Sequence, residues 1–146
     1  MDIPTDRTYR FAASPAELWA TLGRIDDYRT WWPWLSSFDA SGLHPGATWE
    51  CIVQPPLPYS VSFILTVEEV VAERLVRARV SGDIVGSAEL FIVGTDPGCQ
   101  VRLTANLAPG SLPLRAIATI ARPLVRLGHD WVLDTGARQF SARALA

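Results

Sequence analysis

Residues 111–146 constrain this chain most, because at about 100° per residue they carry a long apolar stripe that only a large apolar partner can cover. Ser111 is the natural N-cap, and Pro113 falls in the first turn, where a missing N–H costs nothing. Leu114, Ile117, Ile120, Ala121, Leu124, Leu127, Gly128, Trp131, Val132 and Thr135 share the stripe, opposite Arg115, Arg122, Arg126, Asp130 and Ala137. Pro123 cannot bond the carbonyl of Thr119, so it predicts a kink and not a stop, since the periodicity resumes beyond it. Gly128 predicts a close approach of the helix to a sheet or a ligand. The same wheel turns Leu133 and Phe140 outward, to cover a sheet edge or a second subunit; a homodimer is one arrangement this allows.

The partner is supplied by strands. Residues 5–12 alternate Arg7, Tyr9 and Phe11 against Thr8 and Arg10. A short strand ends near Ala40, and after the turn Gly42-Leu43-His44-Pro45-Gly46 a longer one covers residues 47–54, with Trp49, Cys51 and Val53 on one face. The prolines at 55, 56 and 58 make a loop. Tyr59, Val61, Phe63, Leu65 and Val67 then alternate with polar residues; Val76, Ala78 and Val80 do the same against Arg77 and Arg79. Residues 84–93 are apolar on both faces, and a last strand carries Cys99, Val101, Leu103, Ala105 and Leu107 on its inner side. Between the first two strands, Ser14-Pro15-Ala16-Glu17 forms a capping box for a helix reaching about Leu22. Asp26 is placed to cap a second short helix containing Tyr28, Trp31 and Trp32, ended by Pro33. The stretch Trp31-Trp32-Pro33-Trp34 reads as packing between those helices and the sheet more than as a ligand platform.

The order of elements predicts an α+β fold in one domain, residues 1–146, with a curved antiparallel sheet of about seven strands around the long C-terminal helix and two short helices between strands one and two. At 49% hydrophobic and 19% charged residues, the composition is that of a globular chain and excludes disorder. Net charge is −2, and the positive charge is all arginine, scattered along the chain, which argues against nucleic acid as a partner. No uninterrupted apolar run reaches membrane length, so no membrane span and a cytoplasmic address are expected. Cys51 and Cys99 are isolated among strand residues and read as buried thiols, with no metal site implied.

The motif Ser14-Pro15-Ala16-Glu17-Leu18-Trp19, its continuation Tyr28…Trp31-Trp32-Pro33, the glycine-led strand at Gly46 and the terminal amphipathic helix together resemble the START-like, or SRPBCC, superfamily, and within it the bacterial "polyketide cyclase/dehydrase and lipid transport" branch. The resemblance spans nearly the whole chain, and its motifs are structural. It implies a helix-grip fold with a hydrophobic ligand cavity under the long helix.

Function has to be argued from the wall of that cavity. The expected ligand-binding residues are Trp49, Tyr59, Val61, Phe63, Val80 and Leu103 on the sheet, facing Ile117, Leu124, Trp131 and Thr135 on the helix, with Arg138 and Gln139 at its border. Thr135, Arg138 and Gln139 either orient a polar group of the ligand or simply form a polar helix end, with Asp134 pairing Arg138. Acid–base chemistry needs a tunable side chain within reach of the reacting atom. The pattern puts none inside: His129 projects away from the buried stripe, His44 lies in a turn, and Glu50 points outward. The expectation is therefore a binding or transport protein for a lipid-like or aromatic small molecule, without catalytic residues, cofactor or metal. The alternative is a cofactor-free polyketide cyclase or dehydratase, with Tyr59 or Arg138 polarising a carbonyl; whether the chain is an enzyme stays open at this point.

Overall fold

The computed structural model describes residues 3–145. Seven antiparallel strands form one sheet: β1 (Ile3–Phe11), β2 (Leu35–Ala40), β3 (Thr48–Val53), β4 (Val61–Val71), β5 (Leu75–Gly82), β6 (Ile84–Gly94) and β7 (Cys99–Pro109). Their order is β1-β7-β6-β5-β4-β3-β2, so the first strand closes onto the last and the rest are joined by hairpin neighbours. The alternation read from the sequence is the register observed: Cys51 faces Phe63, Leu65 faces Val80, and Val101 faces both Tyr9 and Ile92. The sheet bends where its ladder is irregular, at the β4 bulge between Val67 and Glu69. Gly86 lies tight against β7: its φ of 147° and 1.9 Å from an added Cβ to the Asn106 carbonyl oxygen exclude any side chain.

Between β1 and β2 lie α1 (Pro15–Leu22), a tight turn (Ile25–Asp27) and α2 (Tyr28–Trp31). Ser14 caps α1 as its sequence predicts, the Glu17 N–H donating to Ser14 Oγ at 3.2 Å. Asp26 caps nothing: it sits inside the turn, and α2 begins without a side-chain cap. Tyr28 and Trp31 are buried, and the Tyr28 hydroxyl donates to the Leu22 carbonyl at 2.5 Å.

The C-terminal segment departs from expectation. It is two helices, α3 (Leu112–Ile120) and α4 (Arg122–Gln139), followed by one wider turn (Phe140–Ala144). Ser111 caps α3, accepting from the Leu114 N–H. At Ala121 the backbone leaves the helical region (φ −134°, ψ 56°), so Pro123 stands in the first turn of a new helix instead of kinking an old one. The break rotates the inner face of α4 by about one residue, ~100°, from a straight continuation. Hence Val125, Gly128, Thr135, Gly136 and Phe140 are buried while Leu127 is 59% exposed; before the break, Ile120 at the end of α3 is 86% exposed. Phe140, expected outward, is 3% exposed, and Trp131, expected at the centre of the buried face, is only partly covered.

Candidate functional site

Sheet and α4 enclose two chambers that share a waist. The first, about 310 Å³, is roofed by Val132, Leu133, Gly136, Ala137 and Phe140, with Val67, Val76, Ala78 and Val101 of the sheet as its floor. Its lining includes seven aromatic rings: Tyr9, Phe11, Tyr28, Trp32, Trp34, Trp49 and Phe140. The second, about 220 Å³, lies between Val125, Gly128 and His129 of α4, Leu114 of α3, and Ile3, Val61, Phe63, Val80 and Leu107 of the sheet. Leu65, Ala88, Leu103, Val132 and Leu133 border both, so the two volumes meet along one line of aliphatic side chains.

The aromatic end is tightly positioned. Trp32 and Trp34 stack with ring centroids 5.7 Å apart, Trp32 stacks on Phe140 at 6.1 Å, and Tyr28 stacks on Phe38 at 5.2 Å. Their polar atoms are used up at the edges: Trp32 Nε1 donates to the Gly136 carbonyl at 2.9 Å, Trp34 Nε1 to Gln139 Oε1 at 2.8 Å, and Trp49 Nε1 to the Gly42 carbonyl at 2.7 Å. What remains to face the cavity is therefore carbon. Trp32 and Trp34, in a stretch whose sequence favours packing over a ligand platform, pack and line the chamber at once. A Cβ on Gly136 would stand 3.1 Å from the Trp34 ring, which is why the helix presents a glycine there.

Gly128 does the same at the other end. A Cβ there would meet the Tyr59 hydroxyl at 2.1 Å, so the ring lies against the helix backbone, its hydroxyl donating to the Leu124 carbonyl at 3.3 Å. Burial raises the Tyr59 pKa, and it raises that of Tyr28 as well. Cys51 and Cys99 are buried free thiols; burial pushes Cys51 up to about 12 and raises Cys99, which leaves both as inert thiols.

Of the expected ligand-binding residues, Trp49, Tyr59, Val61, Phe63, Val80 and Leu103 line the chambers. Ile117 and Leu124 do not: Ile117 packs against the small cluster of Ile3, Leu114, Ala118 and Val125, and Leu124 contributes only its carbonyl, to Tyr59. Trp131 reaches neither chamber. Thr135 is buried but accepts a 3.0 Å hydrogen bond from Arg138, which is exposed, and Gln139 is occupied by Trp34. The Asp134–Arg138 pair, one of the two readings of this helix end, does not form: Asp134 accepts from the Tyr9 hydroxyl at 2.7 Å and Arg138 donates to Thr135. The displacements of Leu124 and Trp131 follow from the rotated face of α4, whereas Ile117 lies in α3, before the break.

That rotation also brings in what the sequence reading left outside. His129 lines the second chamber, with Nε2 2.6 Å from Thr5 Oγ1 of β1. Desolvation lowers its pKa, with the neighbouring charges of Asp130, Arg126, Arg7 and Asp134 partly offsetting one another. Leu133 points to the waist and not to solvent. Treating Pro123 as a first-turn proline, as at Pro113, would have set the correct phase and found both. Glu89 also borders the first chamber, its carboxylate 3.2 Å from Arg77. Among the described residues no group of three metal-ligating side chains occurs, and no helix is long and apolar enough to cross a membrane.

A family model described as polyketide cyclase / dehydrase and lipid transport matches residues 4–142. No curated protein matches the chain. Among solved structures, it is similar to a START superfamily protein from Mycobacterium smegmatis (15% identity, TM-score 0.74, 97% of each chain covered). It is also similar to the Zhui aromatase/cyclase from Streptomyces sp. R1128 (14% identity, TM-score 0.72, covering 100% of this chain and 99% of that one). A third likeness is to norcoclaurine synthase from Thalictrum flavum in complex with dopamine and hydroxybenzaldehyde (12% identity, TM-score 0.65, covering 98% of this chain and 88% of that one). At such identities these likenesses establish the fold alone.

Proposed function

Because the chain belongs to the polyketide cyclase / dehydrase and lipid transport family, we propose that it binds and carries a hydrophobic small molecule, aromatic or lipid-like, between the sheet and α4. The observation that carries this reading is the pair of confluent chambers, in which the aromatic end spends its polar atoms on backbone and side-chain partners and presents carbon to the interior. Affinity then comes from buried area, at about 25 cal/mol per Å², or about 0.8 kcal/mol for each methylene. Trp49 and Leu103 are assigned to contact the ligand in the first chamber, and Tyr59, Val61, Phe63 and Val80 in the second. Native mass spectrometry of the purified protein, followed by identification of a co-purifying molecule, tests the reading. A protein that neither retains nor takes up any apolar molecule would refute it.

One observation favours a second reading, a cofactor-free cyclase: His129 places a titratable group on a wall that sequence reasoning left without one. Incubation with a poly-β-keto substrate separates the two. Carriage predicts binding without turnover. Turnover by the unmodified protein, reduced about a hundredfold in His129→Gln with binding retained, would establish the cyclase instead.

A further inference from the structure

We propose that the second chamber seats one uncharged oxygen of the ligand, a hydroxyl or a ketone, at the Thr5–His129 pair, while the hydrocarbon passes the waist into the first chamber. This rests on the reading that the cavity holds a ligand, and it adds a chemical class: an amphiphile with a single neutral oxygen near one end.

The polar side chains on the second lining are few. Tyr59 donates to the Leu124 carbonyl and keeps acceptor capacity only, so it cannot answer a ketone as well as an alcohol. Thr104 borders the chamber but alternates onto the face of Arg102 and Asp6, which is the wet side of the sheet. That leaves Thr5 and His129. A hydroxyl has one donor and two lone pairs, and a neutral imidazole has one N–H and one lone pair. Their 2.6 Å contact uses one donor and one acceptor and leaves a free site on the Thr5 oxygen in either tautomer. If Thr5 donates to Nε2, its lone pairs can accept from an alcohol. If it accepts from Nε2–H, its own proton can go to a ketone.

The pair offers no charge for a carboxylate. Desolvation holds His129 toward its neutral form. The ions around it are engaged with each other: Arg7 with Asp130 at 2.9 Å, Arg126 with Asp130 at 3.8 Å, and Asp134 with the Tyr9 hydroxyl. A structural tie between β1 and α4 would need the same contact but no free site, so the two roles separate on ligand binding.

The probes are octane, octanol, methyl hexyl ketone and octanoate, with binding read from tryptophan fluorescence and from imidazole nitrogen resonances. The chain has two histidines, and His44, in an exposed turn, serves as the internal control. Octanol and the ketone should shift the His129 resonances, octane should not, and His44 should stay fixed. In the double variant Thr5→Val/His129→Leu, octane binding should persist while the octanol-to-octane affinity ratio falls about tenfold, because removing both partners leaves no orphaned polar group. Bound octanol with unmoved His129 resonances, an unchanged ratio, or octanoate binding more tightly than octanol would each overturn the assignment. If the double variant loses octane as well, the resonances of the unmodified protein decide. If no probe binds, the ligand-binding reading fails and this one falls with it.

Discussion

The two ends of the cavity are closed by opposite means. At the first, Trp31, Trp32, Trp34, Tyr28 and Phe140 lock edge to face and face to face; α4 is tied to them by Trp32 and Trp34, and the turn after it by Arg143, whose guanidinium donates to the Trp31 carbonyl at 2.9 Å. At the second, α3 is held by Leu114, Ile117 and Ala118 against Ile3 and Val125 and by a 3.4 Å hydrogen bond from Arg115 Nε to the Pro109 carbonyl, while Leu112 and Ile120 stay 78% and 86% exposed. The same sheet thus carries a rigid aromatic end and a thinly held aliphatic one, and stability should be distributed accordingly.

The sharpest way to break this contrast is at Phe140, which is 3% exposed and touches Phe11, Trp31 and Trp32. Phe140→Ala should cost about 3–5 kcal/mol in urea melts, since the rings around it cannot all collapse into the gap. A loss below about 1 kcal/mol would mean that the aromatic lock does not hold that end. Trp131→Ala makes the complementary test. The sequence pattern gives Trp131 the central buried position, but the observed helix leaves it partly exposed and off both chambers, so its truncation should cost only about 1–2 kcal/mol.

These two residues also mark where the sequence stopped being readable. The strands, their order along the chain and, except for β6 with its two apolar faces, their inner sides follow from period-two alternation and turn residues, because a one-residue slip would turn Trp49 and Val53 outward. The helical wall was misread at one place, Ala121. Pro123, two residues beyond Ala121, is compatible with a kink or with a fresh start, and only packing against the sheet decides. Beyond Ala121 the centre of the inner face is set about 100° away, which puts Trp131 and Leu124 inside and His129, Leu133 and Phe140 outside, while Gly128, Val132 and Thr135, at the edge shared by both settings, stay inward. The strand half of the site was therefore legible, and the helix half only where Gly128, Val132 and Thr135 keep their inward place.

A smaller effect lies in the acid limb of stability. His129 has its pKa below the ordinary 6.5 when folded, so below that value the unfolded chain binds the proton more readily. Stability is therefore full above about pH 6.5 and declines as pH falls toward the folded pKa. Melts of His129→Gln against the unmodified protein should show this component vanish; an identical acid limb in both would remove His129 from the wall. The smallest effect is expected on α3, where Ile120→Gln should stay within about 0.5 kcal/mol because that side chain is already in water.

The interruption at Ala121 has a last consequence, in how the molecule opens. Its N–H still bonds the Ile117 carbonyl, but Pro123 has no N–H to offer and the Val125 bond back across the break is long, at 3.4 Å, so the hydrogen-bond ladder of α4 does not propagate into α3. A helix of nine residues that must nucleate by itself is marginal in water. Its amide protons should exchange with solvent by separate, local excursions, whereas those facing Trp32 and Trp34 wait for global unfolding. The cavity thus has two clocks, and the faster one runs at the end that holds Thr5 and His129.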